Sequence, residues 1–273
     1  MTALTIAAQE IRVGLRNRWV IAATLVMAVF ALSLALLGSA PTGTVGAVPL
    51  AVVVVSLASL TIFLVPLIAL MLSFDAIVGE HERGTLMLLL AYPVARWQVI
   101  SGKMIGQTAI LAVAILIGYG SAAGALLLKG DAGPDAWTAF SGLVATSVML
   151  GASFVALGCL ASAIVRDRAT AAGLAVVIWL FFVLIYDTAL LGFLVADQGQ
   201  IIGKSALNAL LLLNPADAYR LFNTTASGAA SVYSGMAGPA EAVLSPTILV
   251  AALAAWIVLP TLAAVAALHR RSV

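Results

Sequence analysis

The sequence predicts an all-α integral membrane protein with six transmembrane helices, and three observations support that prediction. Of the 273 residues, 63% are hydrophobic and only 9% are charged, whereas soluble domains are about 45–50% apolar and about 25% charged. Thirteen basic and eleven acidic side chains are too few to cover a water-soluble globule of this size. Six stretches are long and apolar enough to cross a bilayer. Composition therefore argues against a soluble enzyme, a nucleic-acid-binding module and a disordered chain.

The six predicted spans each hold about 20 or more mostly apolar residues, the length needed to cross the hydrocarbon core. They are residues 19–38, 48–74, 104–128, 139–165, 169–195 and 247–268. Backbone groups in lipid must be paired internally, so these segments are predicted to be helices. The first resembles a signal peptide, but such an apolar region is usually about 7–15 residues long, so we expect a retained anchor. We take residues 1–273 as a single transmembrane domain.

Residues 1–18 predict a basic amphipathic helix that lies on the membrane surface. An apolar stripe and a polar stripe recur at helical spacing, the first formed by Leu4, Ala8, Ile11 and Leu15, the second by Thr5, Gln9, Arg12 and Arg16. Anionic lipid attracts such a helix to the interface. The alternative is a basic N-terminal segment that only sets the topology.

The basic residues predict the orientation. With a cytoplasmic N-terminus, ten of the 13 basic residues fall on the cytoplasmic side, and Lys129, Lys204 and Arg220 fall outside. Positive charge is retained on the inner side of a membrane. Because the number of spans is even, both termini are predicted to be cytoplasmic.

Two connections are longer than the others, the cytoplasmic segment 75–103 and the exterior segment 196–246. In the cytoplasmic segment, charges cluster at Asp75 and at residues 80–83, and Thr85 is placed to cap a short helix that runs to Leu90. Pro93 then forces a turn, because the residue before proline disfavours helix. The segment is predicted to form two short amphipathic helices with a bend between them.

The string Glu82-Arg83-Gly84-Thr85-Leu86, followed by Leu89-Leu90, Pro93-Val94, Arg96 and Gly102-Lys103, resembles the first cytoplasmic loop of the type-2 family of ABC transporter permeases. The order of elements is also similar to that family. The resemblance implies a multi-pass permease of the bacterial inner membrane that pairs with a second copy of itself and with a cytoplasmic ATPase dimer.

The resemblance also implies which residues contact the ATPase. A coupling helix would form around residues 80–90, and a second contact would lie between spans four and five; the implied contact residues are Glu80, His81, Glu82, Arg83, Gly84, Thr85, Leu86, Arg166, Asp167 and Arg168. Charges on a short turn suit pairing with a soluble partner. Arg166 and Arg168 have the alternative role of enforcing the topology alone.

Within the family the chain is most similar to the permeases used in the maturation of nitrous oxide reductase. That similarity implies a role in supplying copper or sulfur, by export or by action on a periplasmic β-helical partner. The spacing of the residues does not itself indicate either chemistry.

The chain is predicted not to be an enzyme and to hold no cofactor or metal. The nearest match to a phosphate-binding P-loop is Gly203-Lys204-Ser205, but the leading glycine is replaced by Gln198. ATP and magnesium would therefore be bound by the partner ATPase. Two histidines and the single cysteine, Cys159, lie at no metal-ligand spacing.

Asp187 is the clear ionisable group inside a predicted span. Such groups are costly in lipid and usually face a cavity or a partner. Asp187 is therefore a candidate for an outward vestibule or a dimer contact. The alternative is that the side chain reaches the exterior interface and is hydrated.

Two further patterns concern packing and the exterior segment. Small residues recur at the spacing of close helix contacts, in Gly102-x-x-x-Gly106 and Gly120-x-x-x-Gly124, without indicating the partner helix. The apolar run 206–213 is too short to span and predicts a helix that lies in or re-enters the outer leaflet, and residues 223–238 predict an exposed loop. This segment either contacts a periplasmic partner or is a passive connection.

An ATP-independent secondary transporter or channel is the alternative function. It requires a polar path at mid-membrane, and the scarcity of ionisable residues in the spans argues against proton coupling.

Overall fold

The computed structural model describes residues 2–37, 49–91, 94–129, 134–197, 203–226 and 244–270. These residues form α1 (Ala3–Gly14), α2 (Arg18–Leu37), α3 (Pro49–Ser73), α4 (Val78–Glu82), α5 (Thr85–Ala91), α6 (Arg96–Lys129), α7 (Pro134–Ile164), α8 (Arg168–Leu180), α9 (Tyr186–Asp197), α10 (Lys204–Leu212), α11 (Pro215–Ala226) and α12 (Pro246–Arg270). A π-helical segment, Phe181–Ile185, joins α8 to α9. Six of the described helices are long and apolar enough to cross a membrane, which confirms the predicted fold class.

The spanning helices are α2, α3, α6, α7, the continuous α8–α9 helix and α12. The third spanning helix begins at Arg96, eight residues before the predicted start at residue 104. Nothing between Arg96 and Met104 breaks a helix, so the last part of segment 75–103 forms the first two turns of α6. The predicted turn at residues 40–47 and Pro93 lie outside the described residues.

Helix α7 is the centre of the bundle. It packs against α3, α6 and α12, and 72% of its spanning window is buried, compared with 11% for the window of α8–α9. Alternating small and large side chains, such as Ala152 beside Phe154, let neighbouring helices approach α7. The outer surface of α8–α9 is left for lipid or for another chain.

Helices α10 and α11 form a hairpin that enters the bundle from one end. The indole Nε1 of Trp256 donates to the carbonyl of Leu212 at 3.2 Å, and Trp256 is the eleventh residue of the 25-residue α12. The tip of the hairpin therefore lies almost halfway along a spanning helix. The helix predicted over the apolar run 206–213 is thus present as α10, and its position relative to the outer leaflet stays a prediction.

Helix α11 packs against α3, α7 and α12. The prediction of an exposed loop from Asn223 is wrong at its start, because Asn223 lies in the last turns of α11 and is buried. Its amide Nδ2 donates to Thr146 Oγ1 at 3.1 Å and to the carbonyl of Tyr219 at 3.0 Å. Those bonds satisfy a polar side chain that sequence alone assigns to solvent. Residues 227–238 lie outside the described residues.

The bundle has two ends, which we name by what they carry. The terminal face carries α1, α4, α5, the turn 165–167 and the end of α12. At the end of α12, the Arg96 guanidinium donates to the carbonyl of Leu268 and, at 3.0 Å, to that of His269. A cation at the C-terminus of a helix stabilises the unpaired carbonyls there. The hairpin face is the opposite end, from which α10 and α11 enter.

Candidate functional site

Two short helices on the terminal face carry the residues predicted to contact an ATPase. Helix α4 ends at Glu82 and α5 begins at Thr85, and Gly84 between them has a φ of +71°. That conformation is open to glycine and strained for other residues. The Thr85 hydroxyl donates to the carbonyl of Glu80 at 3.2 Å, which holds the corner closed.

The corner between α4 and α5 is exposed and the helices behind it are anchored. The exposed side chains are His81, Glu82, Arg83 and Thr85 on the corner, with Met87 and Leu88 beyond it, whereas Leu86 is buried. The Ser162 hydroxyl of α7 accepts from the backbone N–H groups of Ile77 and Val78, at 2.9 and 3.0 Å. These two bonds satisfy amides at the start of α4 that have no partner within the helix.

The two predicted contact segments lie side by side. Glu82 Oε1 accepts from the backbone N–H of Arg168 at 2.8 Å, and the Arg168 guanidinium lies 2.7 Å from Asp75 Oδ2. Arg83 lies 3.7 Å from the same oxygen. Glu82 and Arg168 thus join the two segments within the chain, while Arg166 is exposed. Sequence analysis placed Asp75 in the charge cluster of this segment but did not identify Arg168 as its partner, because the partner of a carboxylate on a different loop has no local signature.

Asp167 starts α8. Its carboxylate accepts from the Thr170 backbone N–H at 2.8 Å and from the Thr170 hydroxyl at 2.7 Å. These bonds to the ionised form hold the pKa of the Asp167 carboxyl below its usual value. The Asp167 side chain therefore caps the fifth span, in addition to lying in a predicted contact segment.

Lys103 lies on this face and is not among the contact residues predicted from the sequence. It is only 3% exposed, and its Nζ lies 2.6 Å from Glu10 Oε1 of α1 and 2.7 Å from Glu80 Oε1 of α4. A buried ammonium is costly unless it is paired, and here two carboxylates share it. In the sequence, a lysine at the start of a span is indistinguishable from one that only sets topology.

The N-terminal helix α1 lies in a groove on α6 formed by two glycines. A Cβ atom on Gly102 would lie 2.7 Å from the Ala3 carbonyl oxygen, and one on Gly106 would lie 2.9 Å from that of Ala7. The partner of the first small-residue motif is therefore α1. At Gly120 and Gly124 a Cβ atom would meet nothing within 4 Å among the described residues.

The buried residues of α1 are not those of the apolar stripe predicted from the sequence. Ile6, Ala7 and Gly14 are buried against the bundle, whereas Leu4, in the predicted apolar stripe, is 72% exposed. Helix α1 thus packs against the bundle through Ile6, Ala7 and Gly14 and leaves most of the apolar stripe exposed. This arrangement suits a helix at a lipid surface.

Asp187 is ion-paired on the hairpin side of the bundle. Its Oδ2 lies 2.6 Å from Arg220 Nη2, and Arg220 Nη1 lies 3.0 Å from Asp217 Oδ1. Asn214 Nδ2 donates to Asp217 Oδ2 at 3.0 Å and to the carbonyl of Phe182 at 2.9 Å. Phe182 lies in the π-helical segment, where the helical bonding pattern changes and carbonyls become available. This cluster joins the fifth span to the hairpin.

A second polar contact holds α11 deeper in the bundle. The Tyr219 hydroxyl lies 3.0 Å from Ser147 Oγ of α7, and the Thr61 hydroxyl of α3 bonds that of Tyr119 of α6. All four side chains are buried. Paired hydroxyls let polar side chains sit among apolar helices at little cost.

A bundle of six apolar helices, with short helices at one end and a helical hairpin at the other, defines a polytopic membrane protein. The match of residues 4–273 to the ABC-2 family transporter protein model shows that the chain belongs to that family. Two similar proteins are described as a "probable ABC transporter permease protein NosY". The one from Stutzerimonas stutzeri is 44% identical over 270 residues, 97% of each chain, and the one from Pseudomonas aeruginosa is 44% identical over 254 residues, 92% of each chain.

Proposed function

We propose that this ABC transporter permease couples ATP hydrolysis by a separate cytoplasmic ATPase to a change in the conformation of its spans. The observation that carries the proposal is the corner between α4 and α5, where charged and apolar side chains are exposed on an anchored pair of helices. We call residues 81–85 with Met87 and Leu88 the docking surface. Its apolar part is prominent, since Met87 is 60% exposed and Leu88 67% exposed.

The chemistry of the docking surface suits a protein partner. Apolar side chains fill the centre of protein interfaces and charged ones surround them and select the partner. Helix α4 is bonded to α7 through Ser162 and to α8 through Glu82, so a force on the docking surface acts on two spans. The segment around Arg166 lies beside it as a second contact.

Leu88→Asp tests the docking surface. Because an apolar residue at the centre of an interface contributes about 2 kcal/mol or more, we expect the ATPase subunit to bind about 30-fold more weakly. The measurement is co-purification and binding affinity of the co-expressed ATPase subunit, together with ATP turnover of the complex. Leu88 is exposed, so the variant is expected to fold.

The matched control is Val195→Asp, since Val195 is 76% exposed and lies two residues before the end of α9 at Asp197, at the hairpin face. It places the same charge on the chain away from the docking surface and should leave ATPase affinity unchanged. Equal affinity of the Leu88→Asp variant and the unmodified protein would contradict the docking assignment. Equal losses in the two variants would point to a general effect on folding.

We further propose the placement in the cell. The terminal face, with its basic residues, is cytoplasmic by the positive-inside bias, the membrane is the bacterial inner membrane, and a second copy completes the permease. The hairpin face then lies outside, where the hairpin and Asp187 border the transport route or the contact with a periplasmic partner. The ion pair between Asp187 and Arg220 supports a structured rather than passive exterior segment.

The proposed physiological role is copper or sulfur supply during maturation of nitrous oxide reductase, with a periplasmic β-helical partner. The support is the 44% identity to the NosY permeases over nearly the whole chain. Deleting the gene should leave nitrous oxide reductase exported but lacking copper-centre absorbance, and the Leu88→Asp gene should fail to restore it. Normal absorbance in the deletion strain would remove this role without affecting ATPase docking.

A further inference from the structure

Helix α4 is attached to the rest of the terminal face on two sides, and the two attachments differ in kind. On one side, backbone and short side-chain bonds join it to α7 and α8 through Ser162 and Glu82. On the other side, the side chain of Lys103 reaches from α6 to Glu80 of α4 and to Glu10 of α1. One ammonium group of α6 thus contacts carboxylates of two other helices, α1 and α4, which are far apart in the sequence.

The attachment of α1 to α6 does not depend on Lys103 alone. Gly102 and Gly106 bring the backbones of α1 and α6 into direct contact, so these two helices form one packed unit. Helix α4 has close backbone contacts with α5 and α8, and a lysine side chain bridges the remaining distance to α6. Loss of the Lys103–Glu80 contact would therefore release α4 from the α1–α6 unit.

We infer that Lys103 is a positioning residue. Its contact with Glu80 holds α4 against the α1–α6 unit and transmits movement of α4 to the N-terminal helix and the third span. This inference rests on the proposed ATPase docking for the source of the movement. The Lys103–Glu80 attachment itself is a property of the permease alone. A buried ammonium with two carboxylate partners is well suited to this role, because leaving a buried charge unpaired is costly.

The first experiment tests the Lys103–Glu80 attachment by measuring the distance between α1 and α4 in the isolated permease. Spin labels at Gln9→Cys and His81→Cys, both exposed positions, report the distance between α1 and α4, and the native Cys159 is buried. We expect a narrow distance distribution in the unmodified background. Lys103→Met and Glu80→Gln should broaden it, whereas Glu10→Gln should leave it narrow, because Lys103 still pairs with Glu80.

The control is Arg12→Met, which removes a positive charge from the exposed side of α1 and should leave the distribution narrow. Glu10→Gln and Glu80→Gln each leave Lys103 one carboxylate, so this comparison stays decisive even if Lys103→Met fails to fold. A narrow distribution in Glu80→Gln, or equal broadening in Glu10→Gln and Glu80→Gln, would overturn the assignment.

The second experiment measures transmission. In complexes with the ATPase subunit, Lys103→Met, which lies outside the predicted contact residues, should retain co-purification. Both Lys103→Met and Glu80→Gln should lose the change in ATP turnover that the unmodified permease imposes on the ATPase. If both variants change the ATP turnover of the ATPase as much as the unmodified permease does, despite a broad distance distribution, transmission through Lys103 is overturned. Failure of the unmodified permease to bind the ATPase would instead refute the proposed function, and the distance measurements would still test the Lys103–Glu80 attachment.

Discussion

Gly106→Val is expected to destabilise the protein by about 3 kcal/mol and to displace α1 from the bundle. A Cβ atom at Gly106 would lie 2.6 Å from the Glu10 Cβ and 2.9 Å from the Ala7 carbonyl oxygen. A backbone carbonyl cannot rotate away as a side chain can, so the loss should reach the upper end of the range for overpacking, about 1–3 kcal/mol. Displacing α1 also takes Glu10 away from Lys103.

Two measurements check this prediction. Thermal unfolding in detergent gives the change in stability, and trypsin cleavage at Arg12 and Arg16 reports whether α1 has left α6. The matched control is Gly120→Val in the same helix, where a Cβ atom would meet nothing within 4 Å among the described residues. We expect it to change stability by less than about 0.5 kcal/mol. Equal effects at the two glycines would show that valine itself, and not the groove, is responsible.

These glycines illustrate what sequence could and could not predict. Spacing identified the Gly102–Gly106 and Gly120–Gly124 motifs as equivalent, because a local pattern does not encode the partner helix. The structure separates them, since the first pair meets α1 and the second meets no described residue within 4 Å. The six spans were predictable because each is a long apolar stretch, a local property of the chain.

Ion pairs show the same limit more strongly. Sequence analysis selected Asp187 because a charge inside an apolar stretch is conspicuous, but its partner, Arg220, lies 33 residues away on a helix of mixed composition. Helix α11 escaped prediction because hydropathy cannot tell a buried, hydrogen-bonded amphipathic helix from a surface one. Lys103 escaped because its burial depends on α1 and α4, which contact it only in the folded chain.

Arg220→Met is expected to have a large effect on the hairpin. Arg220 lies 2.6 Å from Asp187 and 3.0 Å from Asp217, and the Asp217 side chain is only 3% exposed. Removing one partner of a buried ion pair costs about 3–5 kcal/mol, because a charge is left unpaired. The Arg220 side chain is 43% exposed, and solvent screening lowers the expected loss of stability to about 2 kcal/mol.

A double-mutant comparison separates loss of the ion pair from loss of packing. Asp217→Asn keeps the shape of the side chain and removes its charge, so the Arg220→Met/Asp217→Asn variant should recover the part of the lost stability that is due to the unpaired, buried charge of Asp217. Arg83→Met is the matched control, because the Arg83 side chain is 53% exposed and lies 3.7 Å from its carboxylate partner. A surface pair of that kind contributes at most about 1 kcal/mol. Thermal unfolding of the four variants, Asp217→Asn included, measures the coupling between Arg220 and Asp217. If the double variant is no more stable than Arg220→Met, the unpaired charge of Asp217 is not the cause, and the loss comes from the contact of Arg220 with Asp187 or from the packing of its apolar part.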